Sequence, residues 1–257
     1  VNDAGTTSRN KKALEVAEVA GAHNIPVLSP KRPLDIYDEL AGFNADAGVL
    51  VAYGRIVPQK LIDLFPFGII NIHPSLLPKY RGPSPIESAI VNGDEATGVS
   101  IMALSAGMDA GPVYHQVTVH LSGDETAPHL AATLTNLAAS ELIATLPNIF
   151  AGTLQPEPQN DSEATYCQLI NKTDAWLKPS EQTAAQAERL VRAYSAYPKA
   201  RTTLLGHDVI IQNAHVEESS DSPLAIKFTS GYLVIDELIA PSGKRMTGEA
   251  FLKGYLK

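Results

Sequence analysis

Gly68-Ile69-Ile70-Asn71-Ile72-His73-Pro74 decides how this chain folds. Its isoleucines favour a pleated, buried surface, and Pro74 ends any strand they form. A short apolar run of this kind reads as a strand covered on both faces. Two polar residues interrupt it at a spacing of two. That spacing puts Asn71 and His73 on one face and Ile72 on the other. Upstream, Ala47-Gly48-Val49-Leu50-Val51-Ala52-Tyr53 predicts a second buried strand. Between the two, Pro58 to Leu64 predicts a helix with Pro58 in its first turn. Strands alternating with helices point to a doubly wound α/β fold with a mostly parallel sheet. Ligands in such sheets gather beyond the carboxyl ends of the strands, where Asn71 and His73 stand. The tripeptide alone is usually just a polar exit into solvent.

Working outward, Ala13 to His23 and Leu34 to Ala41 carry helical spacing. Thr97 to Leu104 and Val113 to Val119 predict two further strands. Thr126 to Phe150 predicts a long helix that Pro147 should kink or end. Gln155-Pro156-Glu157-Pro158-Gln159-Asn160-Asp161-Ser162 has the composition of a linker. Beyond it, Thr183 or Ser180 can cap a helix reaching Tyr194. Short strands follow at 201–205, 209–214, 225–229 and 232–239, with Gly206-His207 and Ser230-Gly231 at turns. The expected organisation is a catalytic-type domain over 1–154, a linker over 155–164 and a small OB-like β-barrel over 165–257.

Composition fits two ordinary globular domains: 257 residues, 44% hydrophobic and 19% charged. No apolar run approaches the ~18 residues of a membrane helix, and no secretory signal is visible. Cys167 is the only cysteine, so an internal disulfide is impossible and a reducing cytoplasm is the simplest inference. Nothing of nucleophile-elbow type surrounds that thiol. The net charge of −8 argues against a generic nucleic-acid coat. Residues 165–257 carry 11 Lys+Arg against 10 Asp+Glu, whereas residues 1–164 carry 9 against 18. The second part can therefore approach a phosphate backbone at little electrostatic cost. His115, His120, His129 and Asp124 lack the spacing of a metal site and read as surface residues.

A second motif changes the weight of the first. Gly107-Met108-Asp109-Ala110-Gly111-Pro112 is a tight loop holding one carboxylate between two expected strands. Asn71-Ile72-His73-Pro74-Ser75-Leu76-Leu77-Pro78-Lys79-Tyr80-Arg81-Gly82 followed by this loop resembles the signature of the 10-formyltetrahydrofolate-dependent formyltransferases. Val51-Ala52-Tyr53-Gly54-Arg55-Ile56-Val57-Pro58 and Thr97-Gly98-Val99-Ser100-Ile101-Met102 resemble it too. Thr165-Tyr166-Cys167, Ile170-Asn171-Lys172, the helix at 184–194 and Tyr197-Pro198 resemble the methionyl-tRNA branch of that family. The resemblance is strongest over residues 46–120 and weaker beyond 200.

The resemblance implies attack of an amine on a formyl carbon, with Asn71, His73 and Asp109 as catalytic residues. It implies 10-formyltetrahydrofolate as co-substrate, no bound prosthetic group and no metal. Ser75, Leu76, Leu77 and Pro78 would form part of the folate site, lined also by Tyr53 and Gly54. Apart from the resemblance, Leu76 and Leu77 also read as ordinary core, and Lys79 and Arg81 as charges that either face an acidic substrate or are simply solvated. Arg9, Lys11 and Lys12 occupy the place of the family's basic loop, which enters the acceptor end of the tRNA. The implied partner is methionyl initiator tRNA, met by a monomeric chain. The family's first strand, the following helix and most of its second strand would precede Val1; without them the expectation is poor folding and little activity. The β domain reads as short by about one hairpin between Val216 and Leu224. Two rival readings remain at this point: a formyltransferase for an amino sugar nucleotide or other small amine, and an inactive folate- or tRNA-binding protein.

Overall fold

A computed structural model describes residues 15–255 of the chain. The basic stretch with Arg9, Lys11 and Lys12 lies outside the described residues. Two compact units make up the chain. One comprises the residues up to His73 with Ser100–His115 and Leu142–Ser162. The other comprises Pro74–Val99, Gln116–Glu141 and the residues from Glu163 onward.

The elements of the first half are α1 (Glu15–Ala22), α2 (Tyr37–Gly42), β1 (Gly48–Val51), α3 (Gln59–Ile62), β2 (Ile69–His73), α4 (Pro85–Asn92), β3 (Ala96–Ala103), β4 (Val113–His120) and α5 (Ala127–Phe150). The strands form a sheet in the order β1-β2-β3-β4. β1 and β2 run parallel, with Gly48 opposite Ile69 and Val51 opposite Ile72. β2 and β3 run antiparallel, with Asn71 opposite Met102 and His73 opposite Ser100. The sheet is thus mixed, not mostly parallel. Alternation of strands and helices does not say by which end the chain re-enters a sheet. Here it leaves β2 through α4, turns at Gly93 in the left-handed region (φ 70°) and returns in the opposite sense.

In the first unit, Ile70, Ile101 and Ile149 are buried together, with Phe67, Tyr114, Leu142 and Leu146 packed against them. The rings of Phe67 and Phe150 lie 5.1 Å apart in a tilted pair. β1 departs from the expectation of a strand buried on both faces. Val49 is 49% and Val51 56% exposed, because β1 occupies the end of the described strand order. Pro147 does not break α5, which continues to Phe150. The carbonyl deprived of its i+4 donor belongs to Ile143, a solvent-facing residue (71% exposed), and Ala151 N–H bonds the Pro147 carbonyl to close the last turn.

The second unit holds α6 (Ala184–Ala193), β5 (Arg201–Leu204), β6 (His207–Glu217), β7 (Ala225–Lys227), β8 (Tyr232–Ile239), β9 (Arg245–Thr247) and α7 (Gly248–Tyr255). Thr183 caps α6: its hydroxyl accepts the Gln186 N–H while the Gln186 side chain accepts the Thr183 N–H. The all-antiparallel sheet runs β5-β6-β8-β7, and β9 also pairs with β8. β7 takes residues 232–234 of β8 and β9 takes 237–239. Among the described residues this sheet is open and does not close into a barrel. Ala187, Leu190 and Val191 of α6, Phe251 of α7 and Val209, Ile211, Leu233, Ile235 and Leu238 of the sheet share one core.

Candidate active site

β2 carries Asn71 and His73 to its carboxyl end, and each is 5% exposed. Polar groups this deeply buried need partners, so their placement is specific. Asp109 comes from the loop between β3 and β4. Its carboxylate Oδ2 lies 3.7 Å from His73 Nδ1, with the imidazole 6% and the carboxylate 19% exposed. That separation is an ion-pair distance, longer than a good hydrogen bond. The first unit thus brings His73 and Asp109 together, with Asn71 two residues back on the same strand.

The loop bearing Asp109 is held tightly. Asp109 itself has φ +47°, a left-handed conformation that non-glycine residues rarely adopt. Gly111 sits so close to the Ala103 carbonyl that no Cβ fits there. Ala103 N–H donates to the Pro112 carbonyl at 2.9 Å, and Val113 and Glu157 exchange two backbone bonds of 2.8 Å. Gln159 Nε2 donates to the carbonyls of Asp109 (2.8 Å) and Gly111 (2.7 Å). By composition alone Glu157 and Gln159 belong to a linker, because a side-chain bond to a distant carbonyl leaves no pattern in the chain.

Tyr53 and Gly54 follow β1 in the same unit, Tyr53 half-buried and Gly54 exposed at φ 68°.

The second unit contains Ser75-Leu76-Leu77-Pro78. Ser75, fully buried, donates its hydroxyl to the Lys79 carbonyl at 2.6 Å, and Leu77–Pro78 is a cis peptide. Gln116 Nε2 donates to the Leu77 carbonyl at 2.8 Å, a brace that no local pattern announces. Leu77 is 5% exposed and packs as core, whereas Leu76 lies over Gly98, where a Cβ would strike it. Arg81 is only 2% exposed and is not a solvated charge. It stands opposite Tyr166 in an isolated parallel bridge: its N–H donates to the Thr165 carbonyl and its carbonyl accepts the Cys167 N–H, each at 2.9 Å, and its guanidinium reaches the Tyr166 hydroxyl at 3.3 Å. Beside it, burial pushes the Tyr80 phenol up to about 12; Asn92 and Asp94 hydrogen-bond its oxygen. Cys167 is buried behind Gly82, and its sulfur accepts the Ser84 N–H at 3.2 Å. Among the described residues no group of three or more His, Cys, Asp or Glu side chains is placed to hold a metal ion. No described helix is long and apolar enough to cross a membrane.

Residues 2–146 match the formyl transferase family model, and residues 169–256 match the model of the formyl transferase C-terminal domain. The methionyl-tRNA formyltransferase of Lachnospira eligens is 35% identical over 258 residues, 93% of this chain and 82% of its own. That of Roseiflexus castenholzii is 39% identical over 247 residues, 91% and 78% of the two chains. The chain belongs to the formyl transferase family, among its methionyl-tRNA formyltransferases. A third formyltransferase relative, from Pseudoalteromonas translucida, is 41% identical over 213 residues, 82% of this chain and 66% of that one. The formyltransferase fold recurs in HypX from Aquifex aeolicus, solved with tetrahydrofolic acid (TM-score 0.68, 21% identity, 92% of this chain and 44% of that one). It recurs again in WlaRD, a sugar 3N-formyl transferase (TM-score 0.67, 17% identity, 86% and 80%).

Proposed function

We propose that this chain transfers the formyl group of 10-formyltetrahydrofolate to the free amine of methionyl initiator tRNA. The observation that carries the reading is the buried His73–Asp109 pair beside Asn71 at the end of β2. The amine nitrogen attacks the formyl carbon, and the carbonyl π electrons move to oxygen. Asn71 donates a hydrogen bond to that oxyanion. His73 polarises the formyl oxygen and helps move the amine proton. Asp109 orients the imidazole and helps take that proton. The C–N bond to the folate then breaks, the folate nitrogen is protonated, and formyl-methionyl-tRNA leaves. One well-placed oxyanion donor is worth roughly 10²–10³-fold and one acid–base group roughly 10²–10⁴-fold.

The folate lies against Ser75, Leu76, Leu77 and Pro78 and is lined by Tyr53 and Gly54. It is a co-substrate that arrives and departs each cycle. Arg9, Lys11 and Lys12 meet the acceptor end of the tRNA. Residues 1–154 form the catalytic domain and 155–164 a connection. Residues 165–257 form an OB-like tRNA-binding domain, supported by the open antiparallel sheet and its near-neutral charge. The chain works as a monomer in the cytoplasm. The names of its methionyl-tRNA formyltransferase relatives support the acceptor.

Formyl transfer from 10-formyltetrahydrofolate to methionyl initiator tRNA, by the wild-type chain and its His73→Ala variant, tests this. Transfer that collapses in the variant is the expected result. A folded wild-type chain that formylates an amino sugar nucleotide and not the tRNA would overturn the acceptor assignment.

A further inference from the structure

Gln159 lies in the segment whose composition reads as a connector, yet the structure ties it to the site. Its single amide nitrogen donates to two carbonyls, Asp109 at 2.8 Å and Gly111 at 2.7 Å. Those two carbonyls belong to the peptide units 109–110 and 111–112, so one side chain fixes the orientation of both planes. Fixing the Asp109 carbonyl fixes the rotation of that residue about its Cα. With φ already at +47°, this sets the direction in which its carboxylate leaves the backbone. The position of Gln159 is itself fixed, since Glu157 two residues earlier is paired with Val113 through both backbone groups. On the opposite side the loop cannot retreat, because Gly111 abuts the Ala103 carbonyl. The loop is thus gripped between β3 and the 157–159 segment, and the side chain it presents is the one 3.7 Å from His73.

We infer that Gln159 is a positioning residue for formyl transfer, acting through Asp109. This rests on the reading of Asp109 and His73 as the transfer machinery. Its part is indirect: it holds the carboxylate where the imidazole can use it. The prediction separates this role from space filling. Glutamate has the size of glutamine but, when ionised, offers those carbonyls no donor. Gln159→Glu and Gln159→Ala should therefore share one defect.

The experiment has two parts. Hydrogen exchange across residues 107–112, measured on the wild-type chain and both variants with thermal melts alongside, reports the grip without any reference to activity. Faster exchange confined to that loop, at a melting temperature close to wild type, is the expected result. Exchange unchanged in both variants overturns the inference. Kinetics then follow in the wild type, Gln159→Glu, Asp109→Asn and the double variant. The single Gln159 change should lower kcat roughly ten-fold, the effect of about one net hydrogen bond, with KM for the folate and the tRNA unchanged. Added to Asp109→Asn it should lower kcat no further, because the residue it positions is already gone. Losses that multiply in the double variant, or a rise in KM at constant kcat, overturn the positioning role. A wild-type chain that transfers no formyl group overturns the functional reading itself, and the exchange measurement then decides the grip alone.

Discussion

His73 Nδ1 and Asp109 Oδ2 stand 3.7 Å apart, one on the last residue of β2 and the other on the loop after β3. Catalytic contacts are often loose before substrate arrives and shorten around it. His73→Ala and Asp109→Asn are each expected to lower kcat by roughly 10²–10⁴-fold, and Asn71→Ala by roughly 10²–10³-fold. Far-ultraviolet circular dichroism should match the wild type in all three. A loss below ten-fold in a folded His73→Ala protein would remove it from the chemistry.

Gly111→Ala should damage stability and transfer together. The new methyl group meets the Ala103 carbonyl, a backbone atom that cannot swing aside. Overpacking of this kind is worth about 1–3 kcal/mol, and in a chain of this size each kcal/mol lowers Tm by roughly 2–4 °C. A melting temperature equal to wild type would show that the loop accommodates the group, contrary to the packing described above.

Thr183→Ala removes the hydroxyl that accepts the Gln186 N–H at the start of α6. The expected loss is about 1 kcal/mol of unfolding free energy, read from urea titration at constant m-value. Formyl transfer by the folded fraction should be unaffected.

His215 supplies a pH test. Asp236, 2.9 Å from its Nδ1, and then Glu217, 3.2 Å from its Nε2, hold the imidazole above its ordinary value of 6.5, against a smaller opposing effect of burial. A group raised on folding stabilises fully below its unfolded value, and that contribution fades as pH rises through the folded value. Half the side chain is exposed, so solvent screening keeps the effect small. Melts of wild type and Asp236→Asn between about pH 5 and 8 should differ most at the acid end and converge at the alkaline end. A gap that widens with pH would contradict the pairing.

How much of this was legible beforehand follows the strength of local pattern. β2, β3 and β4 are rich in β-branched residues and α5 carries a stripe of leucines, and the expected and observed ranges differ by about a residue. α4 went unread because it is eight residues long, begins at Pro85 and follows a loop rich in proline. α7 begins at Gly248 and contains Gly254, which local propensity scores against a helix. β9 is three residues long and its strand character comes only from pairing with β8. Strand direction and the open edge of the second sheet are relations between segments distant in sequence, so no window of residues contains them. In the site, Asn71, His73 and Asp109 stood out because a motif surrounds them. Gln159 and Gln116 did not, since each acts by donating to a main-chain carbonyl that any residue would supply.

The thiol behind Gly82 gives the experimenter something further. It is the chain's only sulfhydryl, 7% exposed and covered where the backbone of Arg81 bonds those of Thr165 and Cys167. A maleimide or disulfide reagent can reach it only when that pairing opens. Under conditions where reclosing outpaces the reagent, the labelling rate measures the opening equilibrium of that pairing. The protein thus carries its own stopwatch, one reactive atom per molecule, with no engineered probe and no competing site. Running that clock with and without folate or tRNA would show which of them steadies this part of the chain.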